Sequence, residues 1–178
     1  DCFYSMITAR RIAETFNSVV VVLTDASLAS SQQPFDRPQF QESWLAPPVD
    51  QSPVPAGAKP YDWDPVTGIA RRFIPGHPGG MHTVTGLAHD RDSHVAYDPD
   101  INQEGLRMRS LKLAALQKTL LPPAVFGAEK GDLLVIGWGS TKGAIEEGAA
   151  TLPAEGKAVS SLPQQLLKTR KPSKKEII

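Results

Sequence analysis

The sequence predicts an α/β fold in two parts joined by a long irregular connector. Three observations predict it. A helix–turn–strand pattern opens the chain, and a strand–glycine turn–helix–strand pattern lies near its end. Between them, ten of the 16 prolines fall from Pro34 to Pro78. The 178 residues leave room for one domain, or one domain and part of another. Nineteen Lys and Arg balance nineteen Asp and Glu, so the chain has no electrostatic footprint for nucleic acid or a membrane surface. No apolar run approaches the roughly 20 residues of a membrane span. The single cysteine, Cys2, excludes an internal disulfide framework and a cysteine-based zinc site.

Phe3, Met6, Ile7, Ala9, Ala13 and Phe16 recur at three- and four-residue spacings with Arg10, Arg11 and Glu14 between them. That spacing predicts an amphipathic helix over 3–16, stopped by Asn17 and Ser18. The next run, SVVVVLTD, is too apolar for a half-exposed strand and predicts a buried parallel one. Helix, short turn and buried strand form the closing unit of a doubly wound sheet. One such unit is not a domain. With no initiator Met and no signal-like segment, the chain reads as a piece of a longer protein, its first domain ending near residue 29.

Residues 30–100 form the connector. Pro47, Pro48, Pro53, Pro55, Pro60 and Pro65 prevent regular helices and ladders. Trp44, Trp63, Tyr61, Phe35, Phe40 and Phe73 punctuate it, and disordered linkers are poor in aromatics. It therefore reads as an ordered strap. Residues 101–121 are helical in pattern, with Asp98 and Asp100 at the favourable end and Pro122 and Pro123 beyond. DLLVIGW (132–138) is a second buried strand, 139–143 a glycine-rich turn, 144–152 a helix and KAVSSL (157–162) a third strand. This βαβ unit places the second domain at 101–168. The basic stretch 169–178 reads as a solvated tail.

Two segments carry chemical interest. Gly137, Gly139, Ser140, Thr141, Lys142 and Gly143 stand between a strand and a helix, where backbone N–H groups can receive an anion. The pattern is neither a P-loop nor a dinucleotide fingerprint, since Lys142 precedes Gly143 and no acidic residue ends the next strand. A tight strand-to-helix turn needs the same glycines. The second segment is the loop with Gly76, His77, Gly79 and Gly80, stiffened by Pro75 and Pro78. It suits a shaped surface facing a ligand or subunit, or ordinary turns in a connector. His77, His82, His89 and His94 lie 5, 7 and 5 residues apart with no helix to organise them, so no metal site is expected. Asp98–Asn102 begins like a calcium loop, but Gln103 and Arg109 stand where Gly and Glu are needed. No catalytic residue is assigned within the chain.

VVVVLTDASLA, RRFIPGHPGGMHTVTGLAHD and DLLVIGWGSTKGAIEE follow one another in an order that resembles the α subunits of 2-oxoacid:ferredoxin oxidoreductases, the 2-oxoglutarate type most closely. The resemblance reaches to about Leu162 and departs from the family at Pro163–Gln165. It implies the end of a thiamine-pyrimidine-type doubly wound domain, the connector, and a transketolase C-terminal-like βαβ domain cut short. It also implies oxidative decarboxylation of a 2-oxoacid to an acyl-CoA with electrons passed to ferredoxin, in the cytoplasm. Thiamine diphosphate, magnesium, an iron–sulfur cluster and coenzyme A would serve the whole complex with a β subunit, none held by this segment alone. The segment itself would be structural and form subunit contacts. The rival reading is a stand-alone anion- or nucleotide-binding module centred on Gly137–Gly143.

Overall fold

The computed structural model describes residues 2–128, 130–152 and 158–164. The expected tail at 169–178, and Lys157 at the start of the last strand, lie outside the described residues. The chain divides into two compact units, one of Asp1–Val22 with Pro38–Leu120, the other of Leu23–Arg37 with Leu121–Ile178.

In the first unit, helix α1 spans Cys2–Phe16, as the apolar spacing predicts. Its last residue, Phe16, is buried, and with Phe73 and Met108 it forms the apolar centre of this unit. Asn17 leaves the helix at φ 46°, and the Ser18 N–H donates to the Ala13 carbonyl at 3.1 Å. This is the left-handed stop that Asn tolerates better than most residues. Phe3 and Tyr4 each meet Trp44 edge-on at 5.8 Å, and Trp44 belongs to a 3₁₀ turn, Glu42–Trp44. Arg72 pairs with Glu14. The strap thus holds α1 at both ends.

The strap satisfies its backbone locally. The Asp64 carboxylate accepts from Val66 N–H at 3.1 Å, Thr67 N–H at 2.6 Å and the Thr67 hydroxyl at 2.8 Å. This closes the turn that delivers Gly68, at φ 68°, onto the backbone of Met108. Only a residue without a Cβ fits there, because both the conformation and the space exclude one. Met108 lies in the long helix α3, after the short helix α2 (Ala26–Ser30) in chain order; α3 runs Pro99–Thr119. Asp98 caps α3, accepting from Asp100 N–H at 2.8 Å and Ile101 N–H at 3.2 Å, with Pro99 at the first helical position. The helix was expected to open the second domain. It packs instead against α1 and the strap, because Gly68 and Phe73 belong to the same apolar centre.

The second unit is a three-stranded sheet in the order β1–β3–β2, with strands β1 (Phe126–Gly127), β2 (Leu133–Trp138) and β3 (Val159–Gln164). β2 and β3 are parallel, in register from Leu133 opposite Val159 to Trp138 opposite Gln164. Helix α4 (Lys142–Thr151) makes the crossover, the βαβ unit read from the sequence. Among the described residues β1 pairs antiparallel with β3 at Ser160 and Ser161 and no strand lies beside Pro163 on that side, where its missing N–H costs no described ladder bond. β1 carries no sequence signal of its own, being two residues long.

Two expectations about burial change. The SVVVVLTD run has no regular structure and joins no ladder among the described residues, and Val19, Val21 and Leu23 are 90%, 72% and 76% exposed. A β-branched run favours a strand but cannot form one without a neighbour to bond. β2 was expected to be buried on both faces. α4 covers one face, where Gly137 meets Ile145, while Leu134, Ile136 and Trp138 on the other are 48%, 55% and 62% exposed.

Candidate functional site

The two glycine-rich segments belong to different units, and each is built within its own. Gly137 ends the helix-facing row of β2, and a Cβ there would collide with Ile145. Gly139 then turns the chain at φ 63° into a 3₁₀ turn, Gly139–Thr141, which runs directly into α4 at Lys142. Gly143 is inside the first turn of α4 with open space around it.

Two donors of this turn, the Ser140 N–H and the Thr141 hydroxyl, have partners within the chain. The Ser140 N–H donates at 2.8 Å to Oδ2 of Asp25, and the other oxygen of that carboxylate accepts from Leu28 N–H at 2.8 Å, capping α2. The Thr141 hydroxyl donates to the Trp138 carbonyl at 2.6 Å. Leu28 and Ser140 together hold the Asp25 carboxyl below its ordinary 3.8, with the Leu28 N–H contributing most. A Cβ on Gly139 would stand 2.5 Å from Asp25 Oδ2, so the glycine is what allows the carboxylate to approach. One internal carboxylate therefore occupies the position that a phosphate oxygen takes at such helix starts. Sequence reading passed over Asp25. Its cap was legible, since Asp precedes the short ASLAS helix, but a bond to Ser140, 115 residues away, has no local signal.

The Gly76–Gly80 loop is two successive turns. The His77 N–H donates to the Ile74 carbonyl at 3.1 Å and the Gly80 N–H to the His77 carbonyl at 2.8 Å. Gly76 and Gly79 take φ 80° and 73°, and a Cβ on Gly79 would stand 3.4 Å from the Val54 side chain. Beneath the loop, His82 Nδ1 lies 2.8 Å from the Gly80 carbonyl and its ring meets buried Phe73 edge-on. Arg71 donates to the Ser52 and Pro53 carbonyls and pairs with Asp50 at 3.2 Å. The loop is thus fixed at its base, while Met81 just beyond it is 95% exposed and Val84 and Leu87 are also exposed.

The remaining histidines serve the strap. His89 is buried, stacks on Tyr61 at 5.3 Å and lies 3.0 Å from the Thr85 hydroxyl. His94 faces Asp90 at 3.2 Å. Burial raises the Asp90 pKa, and the His94 N–H, the His94 side chain and the Asp92 N–H together outweigh it, leaving a net lowering. Among the described residues no three His, Cys, Asp or Glu side chains gather as a metal-binding group, and the one thiol, Cys2, is exposed. No helix among the described residues is long and apolar enough to cross a membrane.

Comparison with known proteins gives two informative matches. The chain is 31% identical over 166 residues to the 2-oxoglutarate oxidoreductase subunit KorA of Mycobacterium tuberculosis, covering 90% of this chain and 24% of that protein. It also matches a 2-oxoglutarate:ferredoxin oxidoreductase from Magnetococcus marinus, solved with 2-oxoglutarate, coenzyme A and succinyl-CoA bound. The TM-score is 0.76 at 29% identity, covering 90% of this chain and 28% of that one. No protein-family model matches. The chain spans about a quarter of the length of the relatives it matches.

Proposed function

We propose that this relative of one segment of 2-oxoglutarate oxidoreductases acts as part of the α-type subunit of a 2-oxoacid:ferredoxin oxidoreductase. The observation that carries the reading is similarity along nine-tenths of the chain in both sequence and structure. In this proposal the complex oxidatively decarboxylates 2-oxoglutarate, forms an acyl-CoA and passes electrons to ferredoxin, in the cytoplasm. Thiamine diphosphate supplies the carbanion chemistry when bound. It, magnesium and the cluster are held by parts of the complex outside these residues, a β subunit among them.

The role proposed for the segment is assembly. Three exposed apolar surfaces support it: the Val19–Leu23 run, the open face of β2, and the stretch from Met81 to Leu87. Contiguous apolar exposure of this kind marks interaction surfaces. The Gly76–Gly80 loop, with His77 at its turn, is proposed as a contact for coenzyme A or the partner subunit. Lys142 with Gly137, Gly139, Ser140, Thr141 and Gly143 is proposed as a subunit contact. A stand-alone anion-binding module is less well supported, since Asp25 takes the Ser140 N–H.

The test is 2-oxoacid- and coenzyme A-dependent viologen reduction by the full-length subunit co-expressed with its β partner. 2-Oxoglutarate, pyruvate and a branched oxoacid would be offered in parallel. Reduction with 2-oxoglutarate is the expected outcome. A complex loaded with thiamine and clusters that reduces viologen with none of them would overturn the reading.

A further inference from the structure

The outward face of α3 is a cationic exception in a chain whose charges balance. From Gly105 to Thr119 the helix carries Arg107, Arg109, Lys112 and Lys118 and no Asp or Glu. Gly105 and Met108 are buried and mark the inward side of the helix. At 3.6 residues per turn, Leu106, Ser110, Leu113 and Gln117 form a row on the opposite side. Arg107 and Lys118 follow one margin of that row and Arg109 the other. Leu106 and Leu113 are exposed. In the strap, Lys59, Arg71, Arg72 and Arg91 are each tied to a carboxylate. Arg107, Arg109 and Lys118 make no ion pair among the described residues. The helix dipole favours a cation in the last turn, which accounts for Lys118, but Arg107 and Arg109 lie too far from that end.

We propose that this face of α3 docks an acidic surface of the β-type partner subunit. The proposal rests on the assembly role given above and adds the surface and the chemistry of what covers it. Leucines in the middle and charges at the margins are the arrangement of a protein interface, apolar at its centre and polar at its rim. Cations on both margins call for carboxylates opposite, since complementary charge steers encounter and like charge facing like is strongly unfavourable. A second copy docking by the same face would set Arg107 and Arg109 against their own counterparts across a two-fold axis, and is disfavoured for that reason. A nucleic-acid backbone would satisfy the cations but leave Leu106 and Leu113 in the middle of a polar contact. An acidic protein surface with an apolar patch satisfies both. The Arg107 and Arg109 guanidiniums suit it further, because each can hold a carboxylate through two parallel N–H donors.

The experiment treats the full-length subunit, co-expressed with its β partner, with a carbodiimide that joins an amine to a touching carboxylate without a spacer. Peptide mass spectrometry then reads the links. Lys118 is expected to join an Asp or Glu of the β subunit, and the link to fade in about 1 M salt. Lys59 should join Asp92 within its own chain and serves as the internal standard. Arg107→Glu with Arg109→Glu should weaken association of the two subunits several-fold in dilute buffer, with the difference narrowing as salt rises. The same charge change on α1, Arg10→Glu with Arg11→Glu, should leave association near the unmodified value. A Lys118 that joins only its own chain, or nothing while Lys59 links, would overturn the proposal. So would equal weakening by the two double variants, which would make net charge and not this face the cause. If oxoacid-dependent viologen reduction proceeds while Lys118 finds no β carboxylate, the docking surface fails and the enzymatic reading stands. If Lys118 links to β in a complex that oxidises no oxoacid, the docking surface stands and the enzymatic reading fails.

Discussion

The two units solve the same problem, what to do with backbone N–H and C=O groups, in opposite ways. The second unit uses a ladder: β2 and β3 pair in register over six residues, and α4 covers one face. The first unit has almost no ladder beyond the isolated bridge from His89 to Val95. Outside helices α1 and α3 it uses carboxylates instead. Asp64, Asp90 and Asp98 each accept two or more nearby N–H groups. A ladder spreads its stability over many equivalent bonds. A chain held by Asp-centred turns depends on a few positions where the turn delivers a residue against a helix. The strap therefore concentrates its tolerance limits at single residues, and the sheet does not.

Gly68→Ala tests this most strongly. A left-handed conformation costs a residue with a Cβ roughly 1–2 kcal/mol, and forcing it against the Met108 backbone adds about 1–3 kcal/mol. A loss of about 2–5 kcal/mol is expected, read by peptide-resolved hydrogen exchange as lost protection in α3 with β2 and β3 unchanged. Equal loss in both units would break the distinction and make the chain one cooperative block.

The second unit also carries carboxylate clasps, and Asp25→Asn sharpens the comparison there. The Asp25 pKa is held below 3.8, so the clasp contributes fully above that pH and is lost as pH falls through the lowered value. The Leu28 and Ser140 amide shifts are expected to follow one shared titration with a midpoint below 3.8, absent in Asp25→Asn. Separate titrations would show that the carboxylate is not shared. The smallest effect is expected from Arg91→Ala. Arg91 bridges Asp62 at 3.1 Å and Glu104 at 2.7 Å, but all three side chains are substantially solvated. Such pairs contribute about 0–1 kcal/mol, so the urea midpoint should move little in dilute buffer and less in about 1 M salt. A larger, salt-insensitive loss would make the strap an ion-paired structure and not a turn-built one.

Much of this was legible one residue at a time. The α1 spacing, its stop at Asn17, the Asp98 start of α3 and the βαβ order each follow from short-range rules that the local sequence obeys. The candidate site was legible in part. The glycines of 137–143 mark a strand-to-helix turn, and the same pattern cannot reveal whether its donors face a ligand or a side chain. Asp25 decides that for Ser140, from a position far away in the chain.

Burial was the least legible property. SVVVVL and DLLVIGW read alike, as apolar runs fit for an interior. One is a ladder strand with an exposed face, and the other pairs with nothing described. Hydrophobicity states a demand for cover, and only neighbours in space supply it. Sequence by itself determined the local elements, because helix periodicity, caps and turns depend on residues a few positions apart. Tertiary structure alone decided that α3 packs with α1, that Gly68 sits on Met108 and that Asp25 fills the Ser140 turn. Each joins residues tens of positions apart, and no local pattern encodes which distant backbone will come within hydrogen-bond reach.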